Sequence, residues 1–134
     1  MQDRPTMREL LDVVQRFLDE EIVPATQGRR QFLARVAANT LRLIDRELES
    51  EETHQDGEWS RLEAILGQEP RPATREATRA AIVRRNSELC ELIRGGAVDQ
   101  PGPGRERLMA HVRQTVRDKL LVTNLGYLRA DGEL

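Results

Sequence analysis

A single cysteine, Cys90, stands among 134 residues, so no intrachain disulfide and no thiolate metal cluster can form. Aromatic residues are scarce as well: two Phe, one Trp and one Tyr make up 3% of the chain. That leaves little to stack on bases and argues against a β-sandwich or barrel. Neither sign of charge is in surplus, since 21 Lys and Arg face 23 Asp and Glu for a net −2. A general nucleic-acid binder would show a basic excess. Apolar runs stop at three or four residues, far short of the ~20 that cross a bilayer. The start, Met1-Gln2-Asp3-Arg4-Pro5, leads into a charged amphipathic stretch without a continuous apolar core, so no signal peptide is expected. The expected setting is cytoplasmic and reducing, with no membrane contact.

What the chain does have is abundant Leu, Ala, Arg and Glu, the composition of helices. Hydrophobic residues reach 38%, enough for one domain of this length to bury a core without staples. The stretch Gly28 to Glu49 contains no Pro and predicts one helix of about 20 residues. Phe32, Val36, Asn39, Leu43 and Leu48 recur along it at helical spacing, with Leu33, Ala37, Thr40 and Ile44 alongside. A stripe that wide predicts cover from the remaining helices.

Before it, Thr6-Met7-Arg8-Glu9 reads as a capping box. A first helix follows to about Val23, stopped by Pro24, and the short turn after it predicts an antiparallel neighbour. After Glu49, SEETHQDGE reads as a polar, acidic connector. A short helix from about Glu58 to Leu66 should bury Trp59, Leu62, Ile65 and Leu66, with Gly67 as its C-terminal cap. Gln68 to Ala73, with two prolines, is a stiff loop. Thr74 caps a fourth helix to about Arg94, carrying a stripe of Ala81, Ile82, Asn86, Leu89, Leu92 and Ile93. A Pro/Gly loop leads to a fifth helix, about Arg105 to Val122, burying Leu108, Met109, Val112, Val116 and Leu120. Tyr127 and Leu128 are placed to pack back, and residues 128–134 read as a frayed tail. The expected fold is all-α: a single up-and-down helical bundle of four long helices plus one short helix, spanning 1–134.

Two amides, Asn39 and Asn86, occupy positions where an apolar residue is expected. A buried amide must be hydrogen-bonded, so the pair bonds to each other, to backbone or to water, or else lines a polar pocket between helices two and four. Lys119 could reach such a pocket, with snorkelling to solvent as the plainer reading. Arg35, Arg42 and Arg46 share helix two, and Arg35 or Arg46 could hold an acyl or phosphate anion there. The acids from Asp45 to Glu58 and the arginines Arg71, Arg75, Arg79, Arg84 and Arg85 both oppose the helix macrodipole. With helices two and four antiparallel, these two charged ends would meet and attract. A plain solvated face is the bland alternative. His54 and His111 lack the His-x-x-x-His spacing of a metal site, and no nucleophile elbow or phosphate cradle occurs. No metal, cofactor or catalytic residue is expected.

Three stretches carry a resemblance: DRPTMRELLDVVQRFLDEEIVPA, GRRQFLARVAANTLRLIDREL and VRDKLLVTNLGYL, the most specific part being Phe32 to Asn39. They resemble a bacterial family of small helical proteins or domains of unknown function. Its members are often encoded beside aminoglycoside-phosphotransferase-like kinases and acyl-CoA dehydrogenases. Relatives tend to read Asn-Pro before the tyrosine, where this chain has Asn124-Leu125-Gly126-Tyr127. The resemblance implies a non-catalytic accessory or interaction protein, assisting such a kinase or dehydrogenase in acyl or hydroxyacyl metabolism. Homo-oligomerisation is expected through leucines exposed on helices one and five. The alternative is a small-molecule binding domain built around Arg35, Asn39, Arg46, Asn86 and Lys119.

Overall fold

The computed structural model describes residues 4–130 and Gly132, and every regular element among them is helical. The helices are α1 Met7–Phe17, α2 Val23–Ala25, α3 Gly28–Leu66, α4 Arg75–Arg94, α5 Pro103–Thr123 and α6 Leu125–Ala130, with a π-helical turn Leu18–Ile22 joining α1 to α2. The chain divides into two compact units, one ending at Glu49 and the other beginning at Ser50.

In the first unit the capping box forms as the sequence predicts. Thr6 Oγ1 accepts from Glu9 N at 3.2 Å, and Glu9 Oε2 accepts from Thr6 N at 2.6 Å. Thr6→Ala should therefore cost about 1 kcal/mol, read as a lowered urea midpoint. Pro24 does not stop the helix outright. Its ring would strike the carbonyl one turn earlier. The preceding turn widens instead, with Val23 N donating to Leu18 O, and Pro24 sits in the final α-helical turn.

Gly28 opens α3 with φ +59, a conformation that suits glycine. Residues 28–49 then run antiparallel to α1, as expected. Gln31 Nε2 donates to Val23 O at 3.0 Å, Arg42 pairs with Asp19, and Arg8 reaches Asp45 at 2.6 Å and Glu49 at 3.3 Å. The Arg8 guanidinium holds the Asp45 carboxyl below its ordinary range.

The packed flank of this hairpin differs from the expected stripe. Ala34 and Ala38 are the buried apolar residues of α3 here, on the arc that also carries Gln31 and Asp45. The small alanines take the buried positions, and the larger side chains are left outside. Phe32 is 64% exposed and Val36 45%; Leu48 and Asn39 are exposed, and Leu43 is half-buried. On α1, Leu11 and Leu18 are half-buried while Met7, Leu10, Val13, Val14 and Phe17 are exposed.

At 100° per residue the exposed apolar side chains of α1 lie on one side of its contact line. On α3, Leu33, Ile44 and Leu48 lie at the matching rotation, while Val36 points directly away from the contact line and Phe32 lies beyond it, on the face of Asn39. In an antiparallel pair, equal rotation from the contact line places both arcs on the same side of the hairpin. Arg8, Asp19 and Arg42 line the other side. The first unit is thus a two-sided hairpin with ion pairs on one side and eight large apolar side chains on the other, the apolar surface continuing round the back of α3 through Val36 and Phe32.

The second unit corrects the expected connector. Residues 50–57 are helical, continuous with the rest of α3. The stretch lacks proline, and its one glycine, Gly57, costs about 1 kcal/mol against alanine. Glu52 and Asp56 offset that by pairing with Arg75, at 2.7 Å, and with Arg71. The predicted attraction between acids and arginines is therefore present, but the acids sit mid-helix, where the macrodipole is weak.

The helices involved run parallel rather than antiparallel. The loop between α3 and α4 carries Arg71 back to Asp56. Then α4 proceeds from Arg75 beside Glu52 to Arg84 and Arg85 beside Glu69. Helix α5 returns against both: Arg61 meets Asp118 while His111 meets Asn86. The core is Trp59, Leu62, Ile82, Leu89 and Leu108, with Ile65, Leu66, Ala81 and Val98 against it.

Leu92, Ile93, Met109, Val112 and Val116 are exposed rather than buried. Where α5 was expected to bury that stripe it turns inward through Leu108, His111 and Val122. The expected tail is helical to Ala130, with Asn124 Oδ1 accepting from Tyr127 N at 3.2 Å and Leu128 buried. Residues 131, 133 and 134 of that tail lie outside the described residues.

Candidate functional site

Three helices of the second unit bring a chain of polar groups together under a groove. Glu58 and Arg61 come from α3, Asn86 from α4, and His111 and Asp118 from α5. Their positions follow from helical spacing. Glu58 adjoins the buried Trp59, Asn86 follows the buried Arg85, and His111 lies three residues after the buried Leu108.

Asn86 Nδ2 donates to Glu58 Oε1 at 2.7 Å. A carboxylate only accepts, so the amide must turn its NH2 to Glu58 and its Oδ1 to His111. That Oδ1 lies 3.4 Å from His111 Nε2, which must then carry the ring proton. His111 Nδ1 is left as a bare acceptor, buried and without a hydrogen-bond partner. An unpaired buried acceptor costs on the order of 1–3 kcal/mol.

His111 is 3% exposed. Burial pushes its imidazole below the ordinary histidine value, the Arg61 guanidinium pushes the same way, and Glu58 opposes them. The neutral ring is therefore the one the fold favours. A base depressed in the folded state stabilises above its unfolded pKa of about 6.5, and that stability is lost as pH falls through the folded value. The urea midpoint should fall between pH 7.5 and pH 5, and His111→Gln should flatten that fall. The depressed carboxyls of Asp45 and Glu69 act only in more acidic solution.

Beside the histidine, Arg61 donates to Asp118 Oδ2 at 3.1 Å and to Thr115 Oγ1 at 3.5 Å. Gln114 Nε2 donates to Asp118 Oδ1 at 2.8 Å, and His54 Nε2 lies 3.9 Å from the same oxygen. An open groove of about 460 Å³ lies between α3 and α5, lined by Arg61, Ala64, Ile65, Arg107, Ala110 and His111. Its walls are apolar and its polar groups are cationic or hydrogen-bonding, the mixture that holds small organic ligands.

The residues singled out from the sequence are divided between the two units. Arg35 and Asn39 are exposed and Arg46 is half-buried, all on α3 in the first unit. Asn39 is thus not a buried amide, because the stripe it interrupts is not the packed flank. Asn86 is half-buried in the second unit, bonded to Glu58 and facing His111. Lys119 is exposed on α5, the snorkelling outcome.

Sequence reading missed His111, whose only signal is its spacing from Leu108 and Val122 on one helical face. It also missed Arg85, which sat inside an apparent run of surface arginines. Among the described residues no group of three or more His, Cys, Asp or Glu is arranged to hold a metal ion, and Cys90 is exposed. No described helix is long and apolar enough to cross a membrane.

No curated protein and no solved structure matches the chain. A family model does match, from residue 24 to residue 127, so the stretch begins at Pro24, after α1, and takes in α3, α4 and α5. The chain belongs to that family, the domain of unknown function DUF6285.

Proposed function

We propose that this chain is a non-catalytic interaction protein that pairs with a second copy of itself through the apolar side of its first unit. The observation that carries the reading is the exposure on one side of Met7, Leu10, Val13, Val14, Phe17, Leu33, Ile44 and Leu48, continued round α3 by Val36 and Phe32, each 41–65% open. Together they offer on the order of 900 Å² of apolar surface, against about 800 Å² contributed by each partner in a stable complex. The largest apolar patch on an ordinary monomer is about 300–600 Å². Two such hairpins laid face to face make a four-helix layer, the packing that antiparallel helix pairs favour. The charged side of each hairpin, with Arg8, Asp19 and Arg42, stays in water.

The client of that assembly, on the resemblance of the sequence, is a phosphotransferase-like kinase or an acyl-CoA dehydrogenase. The test is to mix the purified protein with such an enzyme encoded beside it. The reading expects co-elution or a changed enzyme rate. Separate elution with an unchanged rate would remove the accessory role and leave self-pairing to stand or fall alone.

A further inference from the structure

Helix α6 packs beside the end of α5, and the two wall an open groove of about 410 Å³. Asn124 sets the turn between them: its N donates to Leu120 O at 2.8 Å, and its Oδ1 accepts from Tyr127 N. Val116, Leu120, Tyr127 and Leu128 line the groove. Val116 is 50% and Tyr127 53% exposed, so the apolar lining is open to solvent. The charged side chains that line it, Arg113 and Arg117, are both cations. Arg113 Nε donates to Met109 O at 3.3 Å, which lays the guanidinium back along α5. No carboxylate among the described residues pairs with it. From Pro103 to Ala130 the chain carries six Lys and Arg against two Asp and Glu, although its net charge as a whole is −2. One of those two acids, Asp118, is already held by Arg61. The self-pairing surface of the first unit uses none of these residues.

We propose that the groove between α5 and α6 binds a medium-chain carboxylate, its head paired with the Arg113 guanidinium and its chain lying over Val116, Leu120, Tyr127 and Leu128. With Nε taken by the backbone, the two Nη amines of Arg113 remain to donate to both carboxylate oxygens. Seven residues separate Arg113 from Leu120, about 10 Å along the helix axis, which leaves room for a chain well beyond that of butyrate. The volume falls in the range of small-molecule sites, and the mixture of an apolar lining with a few charged groups is theirs as well. Apolar contact strengthens binding with each added methylene, while the guanidinium strengthens it only for an anionic head.

The experiment titrates the full chain with octanoate, octanol, octylamine and butyrate below micelle-forming concentration, following methyl and tyrosine-ring resonances by NMR. Octanoate should bind roughly tenfold or more tighter than each of the other three. It should move the resonances of Val116, Leu120, Leu128 and the Tyr127 ring, and leave those of Met7 and Leu10 in place. Arg113→Gln, at an exposed position, should bring octanoate down to the level of octanol. Val116→Glu should abolish the binding, with circular dichroism showing the helices intact. The Leu33→Glu, Ile44→Glu protein, altered on the apolar side of the first unit, should bind octanoate as before, so self-pairing and this site are tested separately. Equal affinity for octanoate and octanol, equal affinity for octanoate and butyrate, octylamine binding as tightly as octanoate, or shifts confined to the first unit would each overturn the proposal. So would the absence of any saturable shift at the groove, or full octanoate affinity in the Arg113→Gln protein.

Discussion

Arg85→Ala should lower the unfolding free energy of the second unit by about 3 kcal/mol, where Arg79→Ala should change it by less than about 0.5 kcal/mol. Both arginines belong to the same basic helix start, and nothing in their spacing separates them. Arg85 is 1% exposed. Its guanidinium lies 5.1 Å from the centroid of the Trp59 ring. It donates to Gly67 O at 2.6 Å and to Leu62 O at 3.2 Å. Gly67 O lies just past the end of α3, where backbone acceptors run out of helical partners, and Leu62 O lies one turn before that end.

Gly67, at φ +92, turns the chain out of the helix there, and its N donates to Glu63 O at 3.0 Å. The arginine therefore closes the C-terminus of one helix with a side chain from another. Truncation leaves Gly67 O short of a donor and a void against the indole. Glu69 sits 3.6 Å from the same guanidinium and pairs with Arg84, whose hydrogen bond holds its carboxyl below the ordinary range. Denaturant unfolding of the two variants side by side decides the point. Equal, small losses would mean that Arg85 is an ornament of the surface.

Replacing Leu33 and Ile44 together by glutamate should abolish self-association while leaving the folded monomer nearly as stable as before. Each side chain is about half exposed in the single chain, so a surface substitution there costs a monomer within about 0.5 kcal/mol. In a paired assembly the same positions become core. Each glutamate then carries an unpaired charge into the interface and removes apolar contact, a loss of at least about 2 kcal/mol per site. Two sites amount to roughly a thousandfold in dissociation constant. Arg35→Glu, on the polar arc of the same helix, should leave association unchanged. Circular dichroism and light scattering on the three proteins separate a folding defect from an assembly defect.

The features visible in the sequence are the ones set by a few neighbouring residues. Thr6 with Glu9, Thr74, the glycine after Leu66 and the break before Gly28 act through local backbone geometry, and each appears where the residues call for it. Features that depend on tertiary competition were hidden. Residues 50–57 look like a connector because they are polar, yet glutamate and glutamine are good helix formers, and ion pairs to α4 hold the segment.

The apolar arc of α3 was visible, but periodicity says which side chains share a face, not which face the same chain covers. With Ala34 and Ala38 against α1, the arc carrying Phe32 and Val36 was left outside. Asn86 could be read as an amide in need of partners. His111, the partner that gives it chemical interest, looked like any solvated histidine on a helix. The two are 25 residues apart, so only the packing of α4 against α5 brings them together.

Sedimentation equilibrium of the unmodified full chain across a concentration series bears most directly on the central claim that the apolar side of the first unit is an interface. A mass of two chains, falling towards one on dilution and held at one by Leu33→Glu with Ile44→Glu, is the predicted result. A single-chain mass at every concentration, with Leu33 and Ile44 stably exposed to water, would contradict it.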